Sequence, residues 1–175
     1  MTRPSSVNTA IHEAGHAVVA MLIGRRIDYV SIIPNDDHVG HVKYAGRPKR
    51  NPSMEDVLGY MTTALAGVAA ERRAGLRPQR WTWRGDWESA MNGAAELSGG
   101  DPQQAALFYR IAVRRARASV DLRWQVICDV AADLENQKTI TGDRLREIVL
   151  AETVFLRGLT GRLAAGAASA ASRSL

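Results

Sequence analysis

The residues with the clearest chemical potential lie in "TAIHEAGHAVVAML", Thr9 to Leu22, where His12, Glu13 and His16 interrupt a run rich in alanine and valine. His12 and His16 are four residues apart, so on a helix both imidazoles project from one face and reach one metal ion. The order H-E-x-x-H is a zinc-protease signature: zinc takes three protein ligands and lowers the pKa of a water held in the fourth position. Glu13, next to His12, is then placed to take a proton from that water and deliver it to a leaving amine. The plain alternative is a helix with two core histidines satisfied by hydrogen bonds and a glutamate that caps or pairs with a basic group. Ala14, Gly15 and Ala17 favour the metal, because small residues keep bulk away from the ligands and let a second helix come close.

A third ligand must come from elsewhere in the chain. His38 and His41 are candidates, but at odd spacing in one strand they point to opposite faces and cannot both serve. Glu71 and Asp86 are the acidic candidates, and spacing alone does not choose between them.

The elements that position these groups follow from local pattern. Ile11, Val18, Val19 and Leu22 recur at helical spacing and Gly24 supplies a stop, which predicts a first helix from about Ser6 to Ile23. "RIDYVSIIP" and "HVGHVKY" flank the polar turn "NDD" and predict a hairpin or small sheet, followed by a loop at "AGRPKRNP". Ser53 is an N-cap with Glu55 and Asp56 in the first turn, and Gly75 ends that helix after about Arg73. A further helix is expected from about Asp86 to Leu97, closed by Gly99 and Gly100. Asp101 and Pro102 start a long helix whose seam, Val113, Ala116, Val120, Trp124, Ile127, Ala131 and Leu134, continues without a break. Thr141 caps a last helix through Leu145, Ile148, Val149 and Phe155. The expectation is one mainly α domain over residues 1–158, with an Ala/Ser/Gly-rich tail at 159–175 that has no pattern for a core.

Composition narrows the function classes. Cys128 is the only cysteine, so no internal disulfide forms and a cytoplasmic setting is expected. The longest weakly polar run, Ala14 to Gly24, is about half of what a bilayer needs, so no transmembrane segment is expected. The formal charge of +5 permits contact with nucleic acid, but no aromatic-basic motif accompanies it. Arg110, Arg114, Arg115 and Arg117 fall at helical spacing and read as a solvated face. Nucleic acid is not expected as a partner. There is no G-x-x-x-x-G-K-[ST] phosphate loop, so no ATP-hydrolysing module is expected in the chain.

Taken in order from about residue 8 to 150, several segments resemble the peptidase domain of the FtsH-type ATP-dependent zinc proteases. "HEAGHAVV" matches that family's zinc helix, and "YVSIIP" with "HVGHVKY" looks like its V-x-I-I-P strand pair. "ALAGVAAERRAG" is similar to its A-L-G-G-R-A-A-E-E helix, "GDWESAMNGA" to the D-x-x-x-A segment with the third ligand, and "LENQKTITGDRLREI" to its C-terminal element. The resemblance implies His12, His16 and Asp86 as zinc ligands, Glu13 as base, and Glu71 as a group that orients a ligand histidine. It implies a helical peptidase fold with a strand pair walling the cleft, where an extended substrate adds as an edge strand. "TWRGD" departs from the family's G-A-x-x-D run. Trp81, Trp83 and Trp87 either pack beside the site or line a substrate subsite, and Arg84 either makes a surface ion pair or holds a substrate carboxylate.

The resulting expectation is a zinc metalloendopeptidase with one catalytic Zn²⁺, cutting flexible or unfolded polypeptide. A separate ATPase or adaptor and self-association are the further partners the resemblance suggests. The competing expectation is a zinc-containing binding or regulatory domain on the same fold, with Glu13 dispensable.

Overall fold

A computed structural model describes residues 6–34, 39–46, 49–78 and 83–152. The chain runs through α1 (Ser6–Leu22), β1 (Ile27–Ser31), β2 (His41–Tyr44), α2 (Met54–Arg73), α3 (Arg84–Ser98), α4 (Pro102–Leu122), α5 (Trp124–Gln137), β3 (Thr139–Thr141) and α6 (residues 142–152). The protein is mainly helical with one small sheet.

α1 is the central element. Every residue from Thr9 to Ala20 is buried, the polar Thr9, His12, Glu13 and His16 included. It packs on α2 on one flank and α5 on another. The approach to α2 is tight: a Cβ on Gly15 would lie 2.8 Å from the Ala66 carbonyl oxygen and 2.8 Å from Ala70 Cβ. The small residues around the histidines therefore do admit a second helix.

α2 begins as its sequence predicts. Ser53 accepts a hydrogen bond from the Asp56 N–H, and the Asp56 side chain accepts one from the Ser53 N–H, closing a capping box. At the other end Gly75 takes a positive φ of 74°. Between these ends α2 serves two cores. Ala66 and Ala70 join α1, the sheet and α5, whereas Val57, Leu58, Met61 and Leu65 pack with Ala90 and Ala94 of α3 and Ala112 and Ala116 of α4.

Three expectations change. The long helix breaks at Arg123, where φ is −117° and ψ is 23°, because its continuous seam is used on two fronts. Ala112, Ala116 and Val120 are the buried residues of α4, which packs on α2 and α3. Those of α5, including Ile127, Val130 and Leu134, serve α1. No Gly or Pro marks the break. The hairpin gains a third strand, β3, giving the antiparallel order β2-β1-β3 with Val30 opposite both Val42 and Ile140. Thr141 ends β3 and still caps α6, accepting from the Arg144 N–H at 3.2 Å. Finally, α3 starts two residues before Asp86, which therefore sits in its first turn. Phe155 and the 159–175 tail lie outside the described residues. Among the described residues no helix is long and apolar enough to cross a membrane.

Candidate metal centre

Three elements deliver the polar groups to one point. α1 carries His12, Glu13 and His16, all buried; α2 carries Glu71, also buried; the first turn of α3 carries Asp86, which keeps partial exposure. His12 Nε2 and His16 Nε2 are 2.9 Å apart. Asp86 Oδ2 lies 3.0 Å from the first and 3.2 Å from the second. Among the described residues, His12, His16 and Asp86 form a group whose ligand atoms all lie within 4.8 Å of one another.

The protons can be assigned from the partners. His16 Nδ1 is 2.7 Å from the Thr63 carbonyl oxygen, which only accepts, so Nδ1 carries the hydrogen. His12 Nδ1 is 2.7 Å from Glu71 Oε1 and donates to that carboxylate. In neutral imidazoles both Nε2 atoms then present lone pairs to each other and to Asp86 Oδ2. Three acceptors converging out of water repel unless positive charge sits among them.

The electrostatics state the same demand. Burial opposes charge on His12, but its hydrogen bonds to Asp86 and Glu71 outweigh it and push the pKa up to about 10. Burial opposes charge on His16 as well, and the Asp86 carboxylate overcomes it, so this pKa also rises. Burial favours the neutral form of Asp86, yet the two histidines hold its carboxyl well below the usual carboxylate range. A single proton on His12 Nε2, shared between Asp86 Oδ2 and His16 Nε2, supplies part of the missing charge. A divalent cation supplies it at one point, and two imidazole nitrogens with a carboxylate oxygen are a donor set that first-row metal ions accept.

Glycine makes room for this geometry. A Cβ at Gly67 would fall 2.6 Å from His16 Nε2 and 2.7 Å from His12 Nε2, so α2 can pass the two rings only with glycine there. At Gly40, just before β2, a Cβ would fall 2.8 Å from Glu13 Oε1, which brings the hairpin down over the glutamate. Neither glycine, nor the Thr63 carbonyl, stands out in the sequence. The signal available is that Thr63, Gly67 and Glu71 recur every four residues on one face of α2.

Of the other sequence candidates, His41 stands outside the group of three and pairs with the Tyr29 hydroxyl at 3.3 Å. His38 and Trp81 lie outside the described residues. Arg84 donates to Glu88 at 2.8 Å in an exposed ion pair. Trp83 precedes α3 and Trp87 lies one residue beyond Asp86, and both line a cavity that Asp86 also lines. Cys128 is half-buried on α5.

A protein family described as Peptidase M50B-like matches residues 4–79, under half of the chain. That span holds α1, the hairpin and α2, and ends before Asp86. No curated protein matches the chain. Family match and geometry meet at one level: the match supports a metallopeptidase-family domain, and the structure contains a three-residue group able to hold a metal ion.

Proposed function

We propose that the protein is a zinc-dependent metalloendopeptidase of the FtsH-type arrangement, acting on flexible or unfolded polypeptide. The observation that carries the reading is the convergence of His12 Nε2, His16 Nε2 and Asp86 Oδ2 on one point, in a group able to hold a metal ion. The family match stops short of Asp86, so the FtsH-type assignment rests on the "GDWESA" resemblance and on Asp86 meeting both histidines.

His12, His16 and Asp86 would hold the ion, and zinc so bound would polarise a substrate carbonyl and acidify a water. Glu71 accepts from His12 Nδ1 and the Thr63 carbonyl accepts from His16 Nδ1, so each ring is fixed with Nε2 as the free lone pair. Glu13 takes up the proton of the attacking water at its carboxylate and passes it to the leaving amine. β2 is an edge of the sheet, and an extended substrate adds along it by backbone hydrogen bonds, which suits cleavage that depends little on sequence. The domain is taken as a single unit to about residue 158, with any ATPase or adaptor supplied separately.

Elemental analysis tests the ligand set. The expected result is one zinc per wild-type chain and loss of stoichiometric zinc in His16→Ala and in Asp86→Ala. A metal content well below one in the wild type, or full zinc in Asp86→Ala, would overturn the assignment.

A further inference from the structure

Asp86 lines a cavity of about 140 Å³ enclosed by α2, the start of α3 and α4. A cavity of this order admits a benzene-sized group. Its walls are apolar and aromatic, with Leu65 and Val68 from α2, Trp83 and Trp87 from around the α3 N-terminus, and Tyr109 and Val113 from α4. The remaining character is cationic. Arg72 of α2 and Arg117 of α4 also line it, and both are exposed.

These two arginines differ from their neighbours. Arg73 pairs with Asp121 at 2.9 Å and Arg115 pairs with Glu55. Among the described residues no carboxylate pairs with Arg72 or Arg117. Among the described residues the one carboxylate lining the cavity, Asp86, is already engaged by His12 and His16. The cavity thus combines an aromatic-lined hollow, two uncompensated guanidinium groups and direct continuity with a residue of the metal centre. Guanidinium groups recognise carboxylates by charge-assisted hydrogen bonds, often in pairs.

We propose that this cavity is a specificity subsite for a large apolar side chain next to a carboxylate, with Arg72 and Arg117 as the residues that read the charge. The inference rests on the peptidase reading and narrows its substrate class. The carboxylate has two sources: the C-terminus of a polypeptide ending in an apolar residue, or an acidic residue that follows an apolar one. Arg84, paired with Glu88, is not the carboxylate-binding residue.

The test uses binding, so that it does not depend on turnover. Zinc-loaded Glu13→Gln protein is titrated with N-acetyl-phenylalanine, N-acetyl-phenylalaninamide and N-acetyl-Phe-Glu-α-amide, whose γ-carboxylate is free, following the indole N–H resonances of Trp83 and Trp87. Exposed charge pairs contribute modestly, so two arginines set an expected preference of roughly tenfold for a carboxylate ligand over the amide. A preference for the free acid assigns the C-terminal source, and one for the Phe-Glu ligand assigns the acidic residue. Arg72→Gln/Arg117→Gln should erase the preference while circular dichroism stays unchanged, since both side chains are exposed. Equal binding of acid, amide and Phe-Glu ligand, binding of none, or a preference that survives the double substitution overturns the proposal. The survival case also exposes direct capture of the carboxylate by the metal. Lost peptide cleavage with an intact carboxylate preference counts against the peptidase reading alone; intact cleavage without the preference counts against the subsite alone.

Discussion

α2 carries two polar networks, one at each end, and they behave as opposites. At its N-terminus Ser53, Asp56 and Lys49 form an exposed cap in which Lys49 Nζ donates to Asp56 Oδ1 at 2.7 Å. Toward its C-terminus Thr63, Gly67 and Glu71 face the buried histidines of α1. Both networks satisfy their hydrogen bonds through neighbours, yet only the second removes its charged groups from water. An exposed cap contributes a little to stability and nothing else. A buried acid–histidine group is costly unless every charge is compensated, and here either protonated histidines or a metal ion held by His12, His16 and Asp86 can provide that compensation. The two ends thus differ in kind: one keeps its charges in water, and the other buries them against a group able to hold a metal ion.

Breaking the buried end should have the larger effects. Glu71→Gln removes the charge behind His12 while keeping an acceptor, and zinc affinity should fall about 10- to 100-fold, measured by competition with a chelator. A fall of that size without loss of fold separates a positioning role from a packing role. Unchanged affinity would mean that Glu71 is only a core hydrogen-bond partner.

Gly67→Ala sets a methyl group against two imidazoles at 2.6 to 2.7 Å. Overpacking of this kind costs about 1–3 kcal/mol, offset in part by alanine's better helix propensity of about 1 kcal/mol. The expected net result is a lower Tm together with weaker metal binding, read by calorimetry and by zinc titration. A rise in Tm with full metal binding would show that α1 and α2 can separate at this point.

The exposed end should respond least. Ser53→Ala is expected to cost about 1 kcal/mol of stability and leave zinc content untouched. Asp56, bonded to Lys49 and Ser53, has its pKa lowered from 3.8 to about 2. A depressed carboxyl pKa contributes stability that is fully present above the unfolded value and is lost as pH falls through the folded one. The Tm difference between wild type and Asp56→Asn should therefore be full above pH 3.8 and shrink as pH falls towards about 2. A difference that persists below that range would place the effect outside the ionised carboxylate.

The same contrast explains which parts of the molecule could be read from sequence. The cap at Ser53, the stop at Gly75, the hairpin and the spacing of His12 and His16 are local and leave local signals. The break at Arg123 has none, because two different surfaces, not a helix breaker, redirect one apolar seam. β3 is three residues long, too short to alternate visibly, and forms because β1 offers it an edge. Asp86 was one of several acids until the resemblance singled it out, and only the fold brings its carboxylate within 3.2 Å of both histidines. Gly67 and Arg117 are the instructive omissions. One matters for what it lacks, and the other, taken as part of a solvated face, lines a cavity formed by residues from three elements.

The central claim is that the buried end of α2 helps build a working peptidase site on α1. The most direct measurement is cleavage of unfolded casein by zinc-loaded wild type beside Glu13→Gln at equal zinc content. General base catalysis contributes about 10²- to 10⁴-fold, so the wild type should cleave and Glu13→Gln should retain its zinc while losing at least about 100-fold in rate. Equal cleavage by the two proteins, or none by the wild type, would contradict the account and leave the metal centre a structural or regulatory one.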